Sequence, residues 1–217
     1  MSESLASRLR QETRQNHVEA ERSGIMRRLL TRTLDLGTYV ALLRNLLPIY
    51  EALEEEMVRH QADQVVAPFH HPGLARAKAL EADLQQLGGP DWRSLPVIPE
   101  ALAYVDQIHG AARKDPALLV AHGYVRYLGD LSGGQILKKI VAETFELVAG
   151  SGVGFYEFPD LGDLDAFKHR YRAALDALSP SPALADSIVR EAIGGFEANT
   201  RLFAGLEARG ETVFRTL

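Results

Sequence analysis

Between positions 37 and 60 the apolar residues Tyr39, Leu42, Leu43, Leu46, Leu47, Tyr50 and Leu53 recur at three- and four-residue steps. That spacing puts them on one face of a long helix. Strand-like alternation is nearly absent from the rest of the chain, so the core is built by helix packing on helix. Pro48 falls inside the long run and predicts a local kink. The spacing predicts a first helix over 5–21, with Ser4 as N-cap and Gly24 interrupting it. Further helices are expected over 74–87, 99–114, 115–149, 163–178 and from 181 toward the C-terminus. Pro99 and Ser181-Pro182 suit first-turn and capping positions. The stretches 68–73 and 150–162 read as loops by their glycine and proline content. No repeat or linker divides the chain, and one all-α domain over 1–217 is the simplest reading.

Composition narrows the function. The formal net charge of −5 disfavours a nucleic-acid binder. The chain has no cysteine, which removes disulfides, thiolate metal sites and cysteine nucleophiles together. The first ten residues carry charges and no apolar run, unlike a secretory signal. No segment approaches the roughly 18–20 apolar residues of a membrane span. A cytoplasmic protein without a membrane anchor is expected.

Gly129, Gly133 and Gly134 lie inside a segment otherwise written for helix. Each costs about 0.5–1 kcal/mol relative to alanine, so the three together cost roughly 2–3 kcal/mol. Gly129 and Gly133 share a face, with Ser132 beside them and Asp130 on the rim. The result is a smooth patch that backbone or a ligand can approach closely. Close packing against another helix explains the same spacing, and the glycines alone leave both readings open. A phosphate loop does not fit, since no strand precedes the segment and its lysine is missing.

On the first helix, Arg10, Arg14, His17 and Glu21 fall on roughly one face. An imidazole flanked by two guanidiniums could ligate a metal centre that carries anionic groups, with Glu21 fixing the ring tautomer. A lone histidine is a poor site for a bare ion but a sufficient protein ligand for haem. An exposed helix with ordinary charge pairs is the alternative. His122 invites assignment as a ligand but aligns with neither face. His60, His70, His71, His109 and His169 read as structural or surface residues.

The run from His122 to Lys139, centred on Arg126-Tyr127-Leu128-Gly129-Asp130-Leu131-Ser132-Gly133-Gly134-Gln135, resembles the signature of haem oxygenases. Leu9 to Glu21, Ile49 to Glu56 and Phe167 to Arg172 extend the resemblance, in order, over nearly the whole chain. It implies a multi-helix bundle holding haem b between a proximal helix and a kinked distal helix. In that likeness His17 binds the iron and Glu21 contacts its ring. Gly129, Gly133 and Gly134 match the distal helix over the opposite haem face. Asp130 matches the distal aspartate, and Tyr50, Tyr104, Arg126 and Asn199 match its partners in a water network. Lys168, Tyr171 and Arg172, with Arg10 and Arg14, match contacts to the haem propionates. Tyr124, Phe196 and Phe203 match pocket positions.

The resemblance implies oxidative cleavage of haem to biliverdin, carbon monoxide and ferrous iron, with O2 and external electrons and no bound flavin or nicotinamide. Attack at the α-meso carbon is the default. Elementary chemistry agrees: oxidising the porphyrin edge needs a distal face free of bulky or basic groups and a relay for protons, which glycines and Asp130 supply. The chain departs from animal members at Arg10 and Arg14, where those have lysine, and at Val125, where threonine is usual. The hydrophobic C-terminal anchor of membrane-bound members is not seen, which points to a soluble, bacterial-type monomer. Lys138 and Lys139, with Arg10, Arg14, Lys168 and Arg172, form a candidate basic rim for an acidic electron donor. Ferredoxin, flavodoxin or an NADPH-dependent reductase would serve, and a bilin-receiving protein is a further expected partner. The competing functions are a haem carrier on the same fold, which needs no Asp130, and a thiaminase-like hydrolase, which needs a cysteine this chain lacks.

Overall fold

The computed structural model describes residues 3–148 and 150–213 and, among them, contains helices and no strand. The helices are α1 (Leu5–Glu12), α2 (Arg14–Arg22), α3 (Gly24–Leu30), α4 (Leu36–Arg59), α5 (Ala77–Leu87), α6 (Pro99–Lys114), α7 (Leu119–Gly123), α8 (Gly129–Thr144), α9 (Leu164–Ala177) and α10 (Pro182–Val213). The all-α architecture expected from periodicity is the one observed. Two long helices organise it. α4 packs on α5 and α6, and α10 packs on α2, α3, α6 and α7. One contiguous buried cluster draws residues from every helix from α1 to α10.

The first helix is two helices. Thr13 sits between them with its hydroxyl donating to the Leu9 carbonyl at 2.6 Å. This back-bond and its backbone (φ −96°, ψ 0°) bend the chain between Arg10 and Arg14. Gly24 ends the pair at φ +44°, and a Cβ there would lie 2.2 Å from the Phe203 carbonyl oxygen. Only glycine allows α10 to pass so close. The short helix α3 follows, where the sequence pattern marked nothing. Its core contribution is one i,i+4 pair, Ile25 and Leu29, too little to register as a period.

The expected signals hold: Ser4 accepts the Ser7 amide at the start of α1, Pro99 opens α6, and Pro182 opens α10 after Ser181. Asp35 caps α4 through the Thr38 amide at 2.8 Å, and α4 runs through Pro48 without a break. Ser181 caps α10 through the Leu184 amide. α5 starts at Ala77 because Pro72–Leu74 forms its own 3-10 turn. α8 stops at Thr144, short of the expected 149; Ala149 lies outside the described residues. The stop is a Schellman turn. The Leu147 amide donates to the Ala142 carbonyl at 3.0 Å, with Glu146 at φ +50° in the place usually taken by glycine. Arg32 ends α3 in the same way, at φ +59°. Neither stop carries a glycine to announce it.

The segment expected as one helix from 115 is composite: a 3-10 turn Pro116–Leu118, α7, a π turn Tyr124–Leu128, then α8. The π turn, not a glycine, is the irregularity in the backbone. Such wide turns rephase a helix and occur often at functional sites.

Candidate active site

A cleft of about 710 Å³ opens between α1–α2 and the π turn with α8, with α9 and α10 completing its walls. His17, from α2, lines it on one side and Gly129 and Gly133 on the other. The His17 side chain is 52 % exposed and stands edge-on to the Phe196 ring at 5.6 Å. Its Nδ1 faces the Glu21 carboxylate at 3.7 Å, within electrostatic reach but beyond a hydrogen bond. Nε2 is thereby the nitrogen free to meet a ligand.

The glycines separate into two kinds. A Cβ on Gly129 or Gly133 would meet nothing within 4 Å, and both residues are exposed. They therefore form an open wall of the cleft, not a helix contact. Gly134 is buried, and a Cβ there would lie 3.3 Å from the Tyr156 ring. Close packing explains that third glycine.

Beside the open wall lies a buried polar chain assembled from four elements. The Tyr50 hydroxyl, from α4, donates to Oδ2 of Asp130 at the start of α8. Arg126, from the π turn, donates to that hydroxyl through Nε and Nη2 at 3.0 and 2.7 Å. Its Nη1 donates to Oδ1 of Asn199 on α10 at 2.8 Å. Burial pushes the Asp130 carboxyl up to about 6, against the pull of Arg126 and the Tyr50 hydrogen bond. Burial also raises Tyr50 well above its ordinary value. Arg126 stays firmly charged: burial opposes the charge, but Tyr50 and Asp130 outweigh it. The Tyr104 hydroxyl is buried without a hydrogen-bond partner among the described residues, and burial raises it to about 12. None of these five residues lines the cleft itself.

Of the other expected residues, Arg10, Arg14, Arg172 and Tyr124 line the cleft. Arg10, Arg14 and Arg172 are exposed and give it a cationic side. Lys168 does not line it and pairs with Asp165 at 2.6 Å. Tyr171 is buried against Phe69, with ring centroids 5.1 Å apart, and Phe203 is buried where α10 passes Gly24. Lys138 and Lys139 are engaged by Glu157 and Glu143, at 2.8 and 3.8 Å. Thr13, Val18 and Ser132 also line the cleft, though none was expected as a site residue. Only Ser132, next to the glycine patch, carried a signal in the sequence.

The family profile described as Heme oxygenase matches residues 3–205. The chain belongs to the haem oxygenase family. Heme oxygenase 1 of Nostoc sp. is 40% identical over all of this chain and 94% of its own length. Heme oxygenase 1 of Synechocystis sp. is 43% identical over all of this chain and 92% of its own. Among solved structures, Synechocystis heme oxygenase-1 in complex with heme aligns with a TM-score of 0.90 at 41% identity, covering 99% of both chains. Heme oxygenase from Leptospira interrogans gives 0.90 at 39%, over 94% of this chain and 100% of its own. Among the described residues, no helix of this haem oxygenase is long and apolar enough to cross a membrane.

The cleft suits the substrate of such an enzyme. One accessible imidazole is too little for a bare metal ion and enough for haem. The wall opposite lacks side chains at Gly129 and Gly133 and there admits a flat ring. The arginines along the cleft match the two carboxylates of a porphyrin edge.

Proposed function

We propose that this protein cleaves haem oxidatively to biliverdin, carbon monoxide and ferrous iron, with His17 as the axial ligand and Asp130 as the distal proton carrier. One observation carries the reading: His17 and the side-chain-free wall of Gly129 and Gly133 face one cleft, and Asp130 adjoins that wall in a buried chain. Bound haem supplies the iron at which O2 is reduced and the ring that is oxidised. The rest is the chain's own work. His17 would bind through Nε2, with the Glu21 carboxylate acting on Nδ1 electrostatically from 3.7 Å. Arg10, Arg14 and Arg172 hold the propionates and so fix the ring's rotation in the cleft. The missing side chains at positions 129 and 133 leave room for O2 on the distal side. Asp130, near 6, holds and releases a proton close to neutral pH, while its Oδ2 accepts the Tyr50 hydroxyl. Tyr50 hydrogen-bonds to that oxygen, and Arg126, tied to Asn199, holds the tyrosine in place.

Electrons come from outside. The arginines of the cleft support docking of an acidic carrier, such as a ferredoxin, a flavodoxin or an NADPH-dependent reductase. Residues 1–217 act as one domain in this reading, supported by the single buried cluster. The test is single turnover. Haem is loaded anaerobically, then O2 and ascorbate are added. Loss of the Soret band with appearance of biliverdin is expected. A stable oxygen complex would make the protein a carrier and overturn the proposal.

A further inference from the structure

Asp83 lies on α5, outside the cleft, and is 2 % exposed. Its carboxylate accepts the backbone amides of Gly154 and Phe155 at 2.9 and 2.7 Å. Burial raises this carboxyl and the two amides oppose the rise. Burying a charge to hold a loop is expensive compared with apolar packing. It yields what packing does not, because two directed bonds to successive amides fix the orientation of two consecutive peptide units. Gly154 permits the approach, since a Cβ there would stand 3.2 Å from the Asp83 oxygen.

From that anchor the next two side chains reach the distal machinery. The Phe155 ring meets the Tyr50 ring edge-on, at 5.4 Å and 76°. The Tyr156 ring packs on Gly134, and its carbonyl accepts Gln135 Nε2 at 2.8 Å. Its hydroxyl accepts from Tyr39 at 3.3 Å. Both rings stand behind the stretch of α8 that carries Asp130.

We propose that Asp83 is a positioning residue for the distal proton site. By clamping the two peptide units on either side of Gly154 it seats Phe155 behind Tyr50 and Tyr156 behind Gly134, and so keeps the Tyr50 hydroxyl on Asp130. The inference rests on the reading of Asp130 as the proton carrier. The groups bearing on Asp130 are Tyr50 from α4, Arg76 at the start of α5, Tyr104 from α6, Arg126 and Tyr127 from the π turn, and Tyr156 from the loop. Of these, the clamped loop touches Tyr50, Tyr156 and Arg76, whose Nη1 donates to the Phe155 and Glu157 carbonyls, and a displaced Arg76 would raise Asp130 in the same direction as a displaced Tyr50.

The haem-free protein carries the test. Aspartate labelled with 13C at the carboxyl is titrated by NMR, and Asp130→Asn identifies the Asp130 resonance. In Asp83→Asn the amide NH2 confronts a backbone N–H, one hydrogen bond is lost, and Phe155 shifts. Tyr50 then donates less well, so the Asp130 midpoint moves upward by about half a unit or more. Phe155→Leu produces the same upward shift, and the double variant adds nothing beyond the larger single effect. A folded Asp83→Asn protein with lowered Tm and an unmoved midpoint makes Asp83 a loop staple and overturns the proposal. Additive shifts overturn it also, since the effect then bypasses Phe155. If Asp83→Asn does not fold, Phe155→Leu decides alone: an upward shift supports the clamp and an unmoved midpoint refutes it. Single-turnover rates across pH judge Asp130 separately. A rate indifferent to Asp130→Asn rejects the proton-carrier reading, whatever the midpoint does in Asp83→Asn.

Discussion

Replacing Gly133 with alanine should stabilise the haem-free protein and damage its function. Position 133 lies inside α8, where alanine is favoured over glycine by about 0.8–1 kcal/mol. A Cβ there meets nothing within 4 Å, so no steric term offsets the gain. For a chain of this length the haem-free Tm rises by roughly 2–4 °C. The same methyl enters the space left for the substrate. Overfilling a fitted site costs about 1–3 kcal/mol, a loss of roughly five- to hundred-fold in haem affinity. Gly134→Ala reverses the first sign, because its Cβ would press on the Tyr156 ring at 3.3 Å. Thermal unfolding followed at 222 nm measures the first effect and a Soret titration the second. A fall in Tm for haem-free Gly133→Ala would mean that the glycine packs against protein. A rise in Tm with unchanged haem affinity would mean that positions 129 and 133 do not wall the substrate.

Further outcomes follow from the same geometry. Asp130 is raised in the fold from 3.8 to about 6, so its protonated form contributes stability that is full below about pH 4 and is lost as the pH rises through 6, about 3 kcal/mol in all. Denaturant titrations of the wild type should show that slope, and Asp130→Asn should flatten it. If the two slopes coincide, the carboxyl is not desolvated. His17→Ala should leave the stability of the haem-free protein within about 0.5 kcal/mol of wild type, since the side chain is half exposed. The same substitution should abolish the normal Soret spectrum until imidazole is added, and an unchanged spectrum would remove His17 as the ligand. Gly24→Ala combines a positive φ, worth roughly 1–3 kcal/mol by itself, with a collision at 2.2 Å against the Phe203 carbonyl of α10, so its total cost should exceed about 3 kcal/mol. An unchanged Tm would show that α10 does not press on this residue.

Periodicity alone was enough for the class of fold, and the likeness to a family signature was enough for the chemistry. The long period over 37–60 needs no partner to declare a helix, because amphipathicity is a local property of the chain. The signature around Asp130 likewise stands in consecutive residues and can be read without coordinates. What lay outside that reach depended on neighbours distant in sequence. Three glycines that look alike in the string divide into two that wall a cleft and one that packs on Tyr156. The difference is a ring brought in by the loop after α8. Glu146 and Arg32 close their helices in the left-handed conformation without a glycine, next to contacts the string does not announce: Phe145 against Tyr39 at 5.3 Å and Arg32 on Glu143 at 2.6 Å. Tyr50, Asp130, Arg126 and Asn199 become one hydrogen-bonded chain only when three helices and a π turn converge. Asp83 carried no signal at all, since its partners are two backbone amides about seventy residues away. Periodicity and motifs record what a residue is and what lies beside it; the pairing of buried polar groups is decided by which surfaces the packed helices bring together.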